Sequence, residues 1–173
     1  MIKLEPLTGR HDRSGFDCGI EPLNVWLKQT ALQQQGKGIS RTFVAIPNDA
    51  AAADAYRIAG HGDVGATGII GFYALASTFV LTEDLPPELA KRYPRQIPVT
   101  RLGRLATRVS LQGQGLGQLL LADAVSRARN AAQAVGSAGI FVDAKSDAAA
   151  RFYRRYGFRP CGNQPLKLFL TMW

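Results

Sequence analysis

The feature that most constrains the fold is a glycine-rich turn between a strand and a helix. An apolar strand that reaches residue 107 precedes glycines at positions 113, 115 and 117, and Gln118-Leu119-Leu120-Leu121 opens a helix. Glycine lets the backbone turn tightly and come close to a ligand. The free N–H groups of a first helical turn, with the positive end of the helix dipole behind them, attract anions. Residues 112–117 therefore predict a phosphate-binding turn within an α/β fold.

The spacing of the glycines narrows the choice of phosphate ligand. A dinucleotide-binding fingerprint needs a glycine at position 118, where the chain has Gln118. A P-loop needs Gly-Lys-Ser/Thr, which does not follow. A glycine-rich turn that binds no ligand stays open as an alternative at this point.

A second motif lies about thirty residues further on, after a short strand at residues 139–144. Ser146 is a suitable N-cap for a helix, and Asp147 suits its positive end. Gly157 followed by Phe158 is typical of a left-handed C-cap with its hydrophobic contact. The sequence therefore predicts a short helix that carries Phe152 and Tyr153.

Both motifs resemble those of the GNAT N-acetyltransferases. Residues 112–117 are similar to the pyrophosphate loop of that superfamily, and residues 148–158 to its alanine, phenylalanine-tyrosine and glycine-phenylalanine signature. The resemblance implies one GNAT-type α/β domain over residues 1–173, with a mixed, mostly antiparallel central sheet flanked by helices. It also implies acetyl-CoA as co-substrate.

The resemblance and the needs of acetyl transfer assign roles to these residues. Tyr153 is expected to face the cofactor sulfur as general acid, or only to orient the cofactor by a hydrogen bond, while Phe152 faces the core. Main-chain groups of the strand at residues 105–107 are expected to pair with the pantetheine arm. The expected cofactor-binding residues are Leu105, Ala106, Thr107, Gln112, Gly113, Gln114, Gly115, Leu116, Gly117 and Phe152.

Composition agrees with one enzyme domain. A chain of 173 residues can bury roughly 70% of its unfolded surface, so it needs neither disulfides nor a metal. Its cysteines (Cys18, Cys161) and histidines (His11, His61) lack metal-ligand spacing, so we expect no metal site. There is no charged and apolar leader and no apolar run near the length of a membrane span, so we expect a soluble, cytoplasmic protein without a membrane partner.

The chain is strongly basic, with a formal net charge of +8 and a pI near 9.9. Neutralising phosphates releases counterions, so such an excess favours a nucleic-acid partner. A basic surface that only serves solubility is the alternative. The basic residues form groups at 37–41, 91–95, 101–108, 127–129 and 151–159.

Hydrophobic periodicity predicts the remaining elements. A helix that begins near Pro22 and stops near Gly36 places Leu23, Trp26, Leu27 and Ala31 on one face. Strands at residues 40–46 and 67–76 form a hairpin, and the alanine- and glycine-rich segment 48–66 between them is expected to be a mobile surface insertion. A short helix is expected at 87–93, and the closing strand at 166–173 is expected to lie antiparallel at the edge of the sheet.

A narrower resemblance covers nearly the whole chain. Residues 16–19 with Leu23 and Trp26, then residues 38–44, then residues 97–106 resemble the GNAT toxins of bacterial type II toxin–antitoxin modules. The resemblance implies acetylation of the α-amino group of aminoacyl-tRNA and neutralisation by a ribbon-helix-helix antitoxin. The basic residues expected to flank the acceptor cleft and bind tRNA are Lys28, Lys37, Arg41, Arg92 and Arg95. The insertion at 49–66 is longer than usual for such toxins.

Other functions stay open from sequence. A GNAT enzyme of a small amine or of a protein amine is one, although acidic pocket residues would suit it better than this basic excess. A non-catalytic acetyl-CoA-binding module is another. No general base is marked among the candidate acids Glu83, Asp84, Glu88 and Asp143. The exposed apolar edge of the closing strand predicts a homodimer.

Overall fold

The computed structural model describes residues 1–62 and 64–173. Within them lie seven strands and six α-helices. The strands are β1 (Ile2–Pro6), β2 (Arg41–Pro47), β3 (Gly71–Leu81), β4 (Gln96–Thr107), β5 (Gly139–Asp143), β6 (Arg159–Cys161) and β7 (Gln164–Thr171). The helices are α1 (Glu21–Gln29), α2 (Ala31–Gly36), α3 (Ala50–Ile58), α4 (Pro87–Ala90), α5 (Leu116–Ala132) and α6 (Asp147–Arg155).

The strands form one mixed sheet in the order β1-β2-β3-β4-β5-β7-β6. β4 and β5 pair in parallel, whereas β1 with β2, β5 with β7, and β6 with β7 pair antiparallel. This confirms the predicted fold class, a mixed and mostly antiparallel sheet flanked by helices.

The chain divides into two compact units. The first comprises Met1–Ala74 and Arg104–Ala124, and the second comprises Leu75–Gly103 and Val125–Trp173. The first unit is built around Phe72, whose ring contacts Phe16 edge-on at 5.4 Å and lies nearly parallel to Trp26 at 6.1 Å between centroids. The second has its own apolar cluster, which includes Leu85, Leu89, Ile97, Val99, Cys161 and Phe169. Fully burying each large apolar side chain contributes about 1.5–3 kcal/mol.

The predicted N-terminal helix is present but divided. Pro22 lies in the first turn of α1, and the four residues predicted to share a face are buried. The helix is interrupted at Thr30, whose φ of −121° is not helical, so α1 and α2 replace the single helix predicted. α2 ends at Gly36 as predicted, and the left-handed residue that completes its C-terminus is Gly38, with φ +74°.

The prediction of a surface insertion at residues 48–66 is wrong in part. Nine of its residues form α3, and the Asp49 side chain caps this helix by accepting a hydrogen bond from the Ala52 N–H at 2.8 Å. Ala52, Ala53 and Tyr56 are buried. Alanine has the highest helix propensity, so the composition that suggested a loop instead builds a capped, packed helix.

The prediction that the closing strand lies at the sheet edge is also wrong. β7 lies between β5 and β6 in the strand order, so β6 forms that edge instead. β6 is only three residues long and has a bulge at Pro160 and Cys161, which is too short for an alternation pattern to reveal. β1, at the other edge, was not predicted either. No helix in the described part of the chain is both long enough and apolar enough to cross a membrane.

Candidate active site

The glycine-rich loop follows β4 through a single 3-10 turn, Val109–Leu111, and leads into α5. Gly113 and Gly115 have φ values of +81° and +82°. This left-handed conformation costs other residues roughly 1–2 kcal/mol. A Cβ atom placed on either glycine would meet no atom of the chain within 4 Å. The loop therefore has an open surface where a ligand can approach the backbone closely.

The main-chain amides of this loop are available to a ligand. The N–H groups of residues 113–118 form no hydrogen bond with any described residue, and these residues lie at or just before the N-terminal end of a 17-residue helix. The Gln112 N–H instead donates to the Val109 carbonyl at 3.4 Å. The row of free amides therefore starts at Gly113, one residue later than predicted.

The Gln112 side chain anchors the loop. Its Nε2 donates to the carbonyl oxygens of Cys18 at 3.2 Å and Thr107 at 3.3 Å. The Val109 N–H donates to the Asp17 carbonyl oxygen at 2.8 Å. These bonds tie the start of the loop to the end of β4 and to the segment before α1.

Arg108, which sequence grouped with the surface charges, is buried at 3% exposure. Its guanidinium donates to the carbonyl oxygens of Gly15 at 3.1 Å and Ile69 at 2.9 Å, and its N–H donates to Ile70 at 2.8 Å. Arg108 therefore holds the chain next to the loop in place and is not part of an exposed basic surface. An arginine in a basic run gives no signal that it is buried, so sequence reasoning missed this role.

The strand segment predicted to pair with the pantetheine arm is the last part of β4. The parallel pairing of β4 with β5 runs from Thr100 with Ile140 to Leu102 with Val142. β4 then continues to Thr107. Ala106 in this continuation is buried, while Leu105 and Thr107 are half-buried.

α5 packs closely in the first unit. A Cβ atom on Gly71 would lie 2.9 Å from Leu120 Cδ1 and 3.2 Å from the Ala106 carbonyl oxygen. The hydroxyl of the buried Tyr73 donates to Asp123 Oδ2 of α5 at 2.5 Å. Together these contacts fix the helix against the strand ends.

Tyr153 lies in the last part of α6, and its helix has both predicted caps. Ser146 Oγ accepts a hydrogen bond from the Ala149 N–H at 3.2 Å. At the other end Gly157 has φ +94°, its N–H donates to the Arg154 carbonyl, and the Phe158 N–H donates to the Tyr153 carbonyl. This is the Schellman arrangement, so the predicted left-handed C-cap is confirmed.

The expected orientation of Phe152 and Tyr153 is wrong. Tyr153 is the buried residue, at 7% exposure, whereas Phe152 is only half-buried. Ala150 is also buried, and the spacing of three residues to Tyr153 follows the helical repeat. The Tyr153 ring contacts the rings of Phe152 at 5.3 Å and Phe158 at 5.4 Å.

Burial raises the pKa of Tyr153 far above its ordinary value, because its anion would lose the solvation of water. Its hydroxyl makes no hydrogen bond within the described chain. Tyr153 is therefore a neutral phenol at physiological pH with a donor available to a ligand.

The five basic residues expected to bind tRNA are all exposed. Lys28, Lys37 and Arg41 belong to the first unit, and Arg92 and Arg95 belong to the second. No ion pair joins any of the five to an acidic residue among those described. All five charges are therefore available to an anionic partner.

Two of the four candidate acids are engaged by arginines of the second unit. Asp143 Oδ2 lies 3.1 Å from an Arg101 nitrogen, and Glu88 pairs with Arg159. Glu83 and Asp84 are exposed. In the described ranges, no group of three or more histidine, cysteine, aspartate or glutamate residues could hold a metal ion.

Comparison with known proteins identifies the family. Residues 64–160 match the family model described as an acetyltransferase (GNAT) domain. The tRNA-acetylating toxin of Mycobacterium tuberculosis (strain ATCC 25618 / H37Rv) is 34% identical over 161 residues, covering 93% of this chain and 86% of that protein.

Two solved structures of the toxin AtaT are similar over nearly the whole chain. AtaT complexed with acetyl-methionyl-tRNAfMet has a TM-score of 0.83 and 32% identity, covering 99% of this chain and 95% of that one. A tyrosine-to-phenylalanine mutant of AtaT bound to acetyl-CoA and the C-terminus of the antitoxin AtaR has a TM-score of 0.76 and 30% identity, covering 99% and 93%. The chain thus belongs to the GNAT acetyltransferases, in the group that includes the tRNA-acetylating toxins.

Proposed function

We propose that this N-acetyltransferase transfers the acetyl group of acetyl-CoA to the free α-amino group of aminoacyl-tRNA and thereby inhibits translation. The observation that carries the proposal is the row of unpaired main-chain amides at residues 113–118, in a chain 34% identical to a tRNA-acetylating toxin.

The loop fits a coenzyme A pyrophosphate. The amides of Gly113, Gln114, Gly115, Leu116 and Gly117 bind its oxygens, assisted by the α5 dipole. The open space where Cβ atoms would lie on Gly113 and Gly115 supports this fit, since the ligand can reach the backbone. Gln112 acts through its bonds to Cys18 and Thr107, which hold the loop.

The pantetheine arm of the cofactor is proposed to lie along the end of β4. Main-chain groups of Leu105, Ala106 and Thr107 pair with the arm as an added strand would. Half-buried Phe152 packs beside the cofactor. Bound in this way, acetyl-CoA supplies the acetyl group as an activated thioester.

Tyr153 assists departure of the thiolate. In the reaction a C–N bond forms, the C–S bond breaks, and one proton moves from nitrogen to sulfur. A thiol titrates near about 8.5 and an ordinary phenol near about 10, and burial raises the pKa of Tyr153 further. Releasing a free tyrosinate is therefore unfavourable. Tyr153 instead donates its proton to sulfur while it receives one from the amine, or only donates a hydrogen bond that orients the cofactor.

The acceptor needs little help from a base. An α-amino group titrates near about 7.7–8, so a fraction of it is neutral and nucleophilic at physiological pH. The engagement of Asp143 and Glu88 by arginines supports a mechanism in which water, rather than a carboxylate, relays the amine proton towards Tyr153 and the sulfur.

Lys28, Lys37, Arg41, Arg92 and Arg95 bind the tRNA phosphates. Their exposure and their freedom from ion pairs support this role. A small-amine substrate would be repelled by a chain with a net charge of +8, which favours the polyanionic acceptor over a polyamine.

The decisive experiment offers labelled acetyl-CoA to the protein with total charged tRNA, uncharged tRNA, spermidine and a mixture of soluble proteins in separate reactions. We expect label only with charged tRNA, released by mild alkali as an N-acetyl amino acid. Label in spermidine or protein amines would establish the small-amine or protein-amine alternative. Tight acetyl-CoA binding without transfer would establish a binding module.

The partners follow from the same function. We infer an antitoxin of the ribbon-helix-helix class and action in the cytoplasm, where charged tRNA is found. The antitoxin AtaR bound to the related AtaT supports an antitoxin as a partner. Residues 1–173 are proposed to act as one domain, which is supported by a family match that includes parts of both units.

We also propose a homodimer. Because β6, and not the closing strand β7, lies at the sheet edge, the proposal now rests on a different surface. Phe79 and Val135 are 63% and 72% exposed, and they line a cleft of about 310 Å³ with no ionisable side chain in its lining. An uncharged apolar surface lets two copies of a basic chain meet with the least repulsion. Analytical ultracentrifugation tests this surface. We expect the wild-type protein to sediment as a dimer and Val135→Glu to sediment as a monomer.

A further inference from the structure

Asn24 of α1 is buried at 2% exposure and fully engaged by polar groups. Its Oδ1 accepts a hydrogen bond from the Cys18 N–H at 2.9 Å. Its Nδ2 donates to Asp17 Oδ1 at 3.0 Å and to Glu21 Oε2 at 3.3 Å. Asn24 therefore fixes the turn at Asp17–Gly19 from inside the first unit.

The peptide group held by Asn24 is also the one that the cofactor loop uses. The Cys18 N–H and the Asp17 carbonyl belong to one peptide plane, and this carbonyl accepts from the Val109 N–H at 2.8 Å. The two hydrogen bonds therefore lie in series and polarise one another. The next carbonyl, that of Cys18, accepts from Gln112 Nε2 at 3.2 Å.

Side-chain packing contributes little to the position of the two loop glycines. Gly113 and Gly115 have no neighbouring atoms where their Cβ atoms would be, so packing against side chains does not define the position of these residues. Their direction depends on the anchors before them, at Val109 and Gln112, and on α5 after them. A small shift of the loop would misalign its amides with the ligand, and hydrogen bonds weaken steeply when their geometry is poor.

We propose that Asn24 is a positioning residue for the acetyl-CoA loop, which acts through the Asp17–Cys18 peptide and Gln112 to aim the amides of residues 113–117 at the pyrophosphate. The inference rests on the proposed function only in that this loop binds acetyl-CoA. It gives a role to the segment 16–19, which sequence singled out without assigning it any chemistry.

The first test compares acetyl-CoA with acetyl-pantetheine, which lacks the pyrophosphate and the phosphoadenosine beyond it, by calorimetric titration of Asn24→Leu. This change keeps the branched shape and the number of side-chain heavy atoms and removes all three hydrogen bonds. We expect the Kd for acetyl-CoA to rise by about 10-fold or more, the loss expected for about one hydrogen bond to a charged group, and the Kd for acetyl-pantetheine to stay within about twofold of wild type. At saturating acetyl-CoA, kcat stays near wild type while KM for acetyl-CoA rises.

A matched control separates positioning from stability. Thr82 of the second unit is buried and donates a hydrogen bond to the Arg95 carbonyl at 3.1 Å. Thr82→Val removes that bond and is expected to lower Tm without changing the Kd for acetyl-CoA. If Asn24 only stabilised the fold, Asn24→Leu would likewise lower Tm without changing the Kd for acetyl-CoA. That result would overturn the proposal.

A double-mutant cycle tests whether Asn24 acts on the loop through Gln112. Gln112 is exposed, so Gln112→Met is expected to fold and to weaken acetyl-CoA binding on its own. The effects of Asn24→Leu and Gln112→Met on affinity are expected to be less than additive, since both act on one connection.

Additive effects, or wild-type affinity in Gln112→Met, would contradict the proposal even if Asn24→Leu failed to fold. Failure of the wild-type protein to bind acetyl-CoA would instead refute the proposed function itself.

Discussion

The two left-handed glycines of the loop, Gly113 and Gly115, leave the backbone open to a ligand. Gly115→Ala places a Cβ on a residue with φ +82° and on the surface that we assign to the pyrophosphate. We expect a loss of roughly 1–2 kcal/mol in the free energy of unfolding. We also expect at least about 10-fold weaker acetyl-CoA binding, because the backbone can no longer approach the ligand.

Gly60→Ala provides the matched control for this substitution. Gly60 has φ +98° and equally open surroundings but lies outside the loop. Its free energy of unfolding should fall by a similar amount while the Kd for acetyl-CoA stays at the wild-type value. Equal effects on Kd in the two variants would mean that the loop does not contact the ligand.

Tyr153 is the other residue on which the chemistry depends. Tyr153→Phe keeps the buried ring and its contacts with Phe152 and Phe158 but removes the hydroxyl. If the hydroxyl serves the leaving thiolate, turnover falls by roughly 10²–10⁴-fold with little change in acetyl-CoA affinity. Steady-state rates with charged tRNA measure this, and near-wild-type turnover would remove Tyr153 from the mechanism.

The pairing of β5 with β7 leaves no room for a side chain at Gly139. A Cβ on Gly139 would overlap the Phe169 ring and the Leu170 carbonyl oxygen. Main chain cannot move aside as a flexible side chain can, so we expect Gly139→Ala to lower the free energy of unfolding by about 3 kcal/mol or more.

Urea unfolding measures that loss, with Gly136→Ala as its control. A Cβ on Gly136 would meet nothing within 4 Å, so this variant should be as stable as wild type. Equal stability of the two variants would contradict the close β5–β7 packing.

Elements with a strong local signal could be predicted from sequence. The two caps of α6, the buried face of α1 and the glycine turn before α5 all have residue patterns that act within a few positions. The break at Thr30 and the three-residue β6 have no such pattern. α3 was misassigned because an alanine-rich segment can be either a loop or a helix until Asp49 is seen to cap it and Tyr56 to be buried.

The candidate site was predictable to a similar extent. Backbone-based recognition could be inferred from glycine positions, and the structure agrees on the left-handed residues and the free amides. The side chains that anchor the loop could not be inferred from sequence. Gln112 bonds to carbonyl oxygens as far as 94 residues away in the chain, and Arg108 is buried by segments distant in sequence.

Charge is a property of the whole molecule, and it predicts salt-dependent binding of tRNA. Reversal of Lys37, Arg41 and Arg92 to glutamate should weaken binding of all charged tRNAs alike. For every tRNA phosphate that the protein no longer neutralises, the slope of log K against log salt should also become shallower by about 0.7–0.9.

Filter binding over a range of salt concentrations checks this prediction. Reversal of Arg10 and Arg129, which are exposed but outside the proposed set, serves as the control and should change the slope less per charge. A slope unchanged by the first set would exclude those residues from the tRNA interface.

Unpaired main-chain amides at residues 113–117 are proposed to hold the pyrophosphate of acetyl-CoA, and calorimetry tests this binding. Wild-type protein is titrated with acetyl-CoA and, separately, with acetyl-pantetheine. We predict heat and saturation with acetyl-CoA and at least about 100-fold weaker binding of acetyl-pantetheine, since charge-assisted hydrogen bonds contribute about 1.5–3 kcal/mol each. Equal affinity for the two compounds would contradict the account.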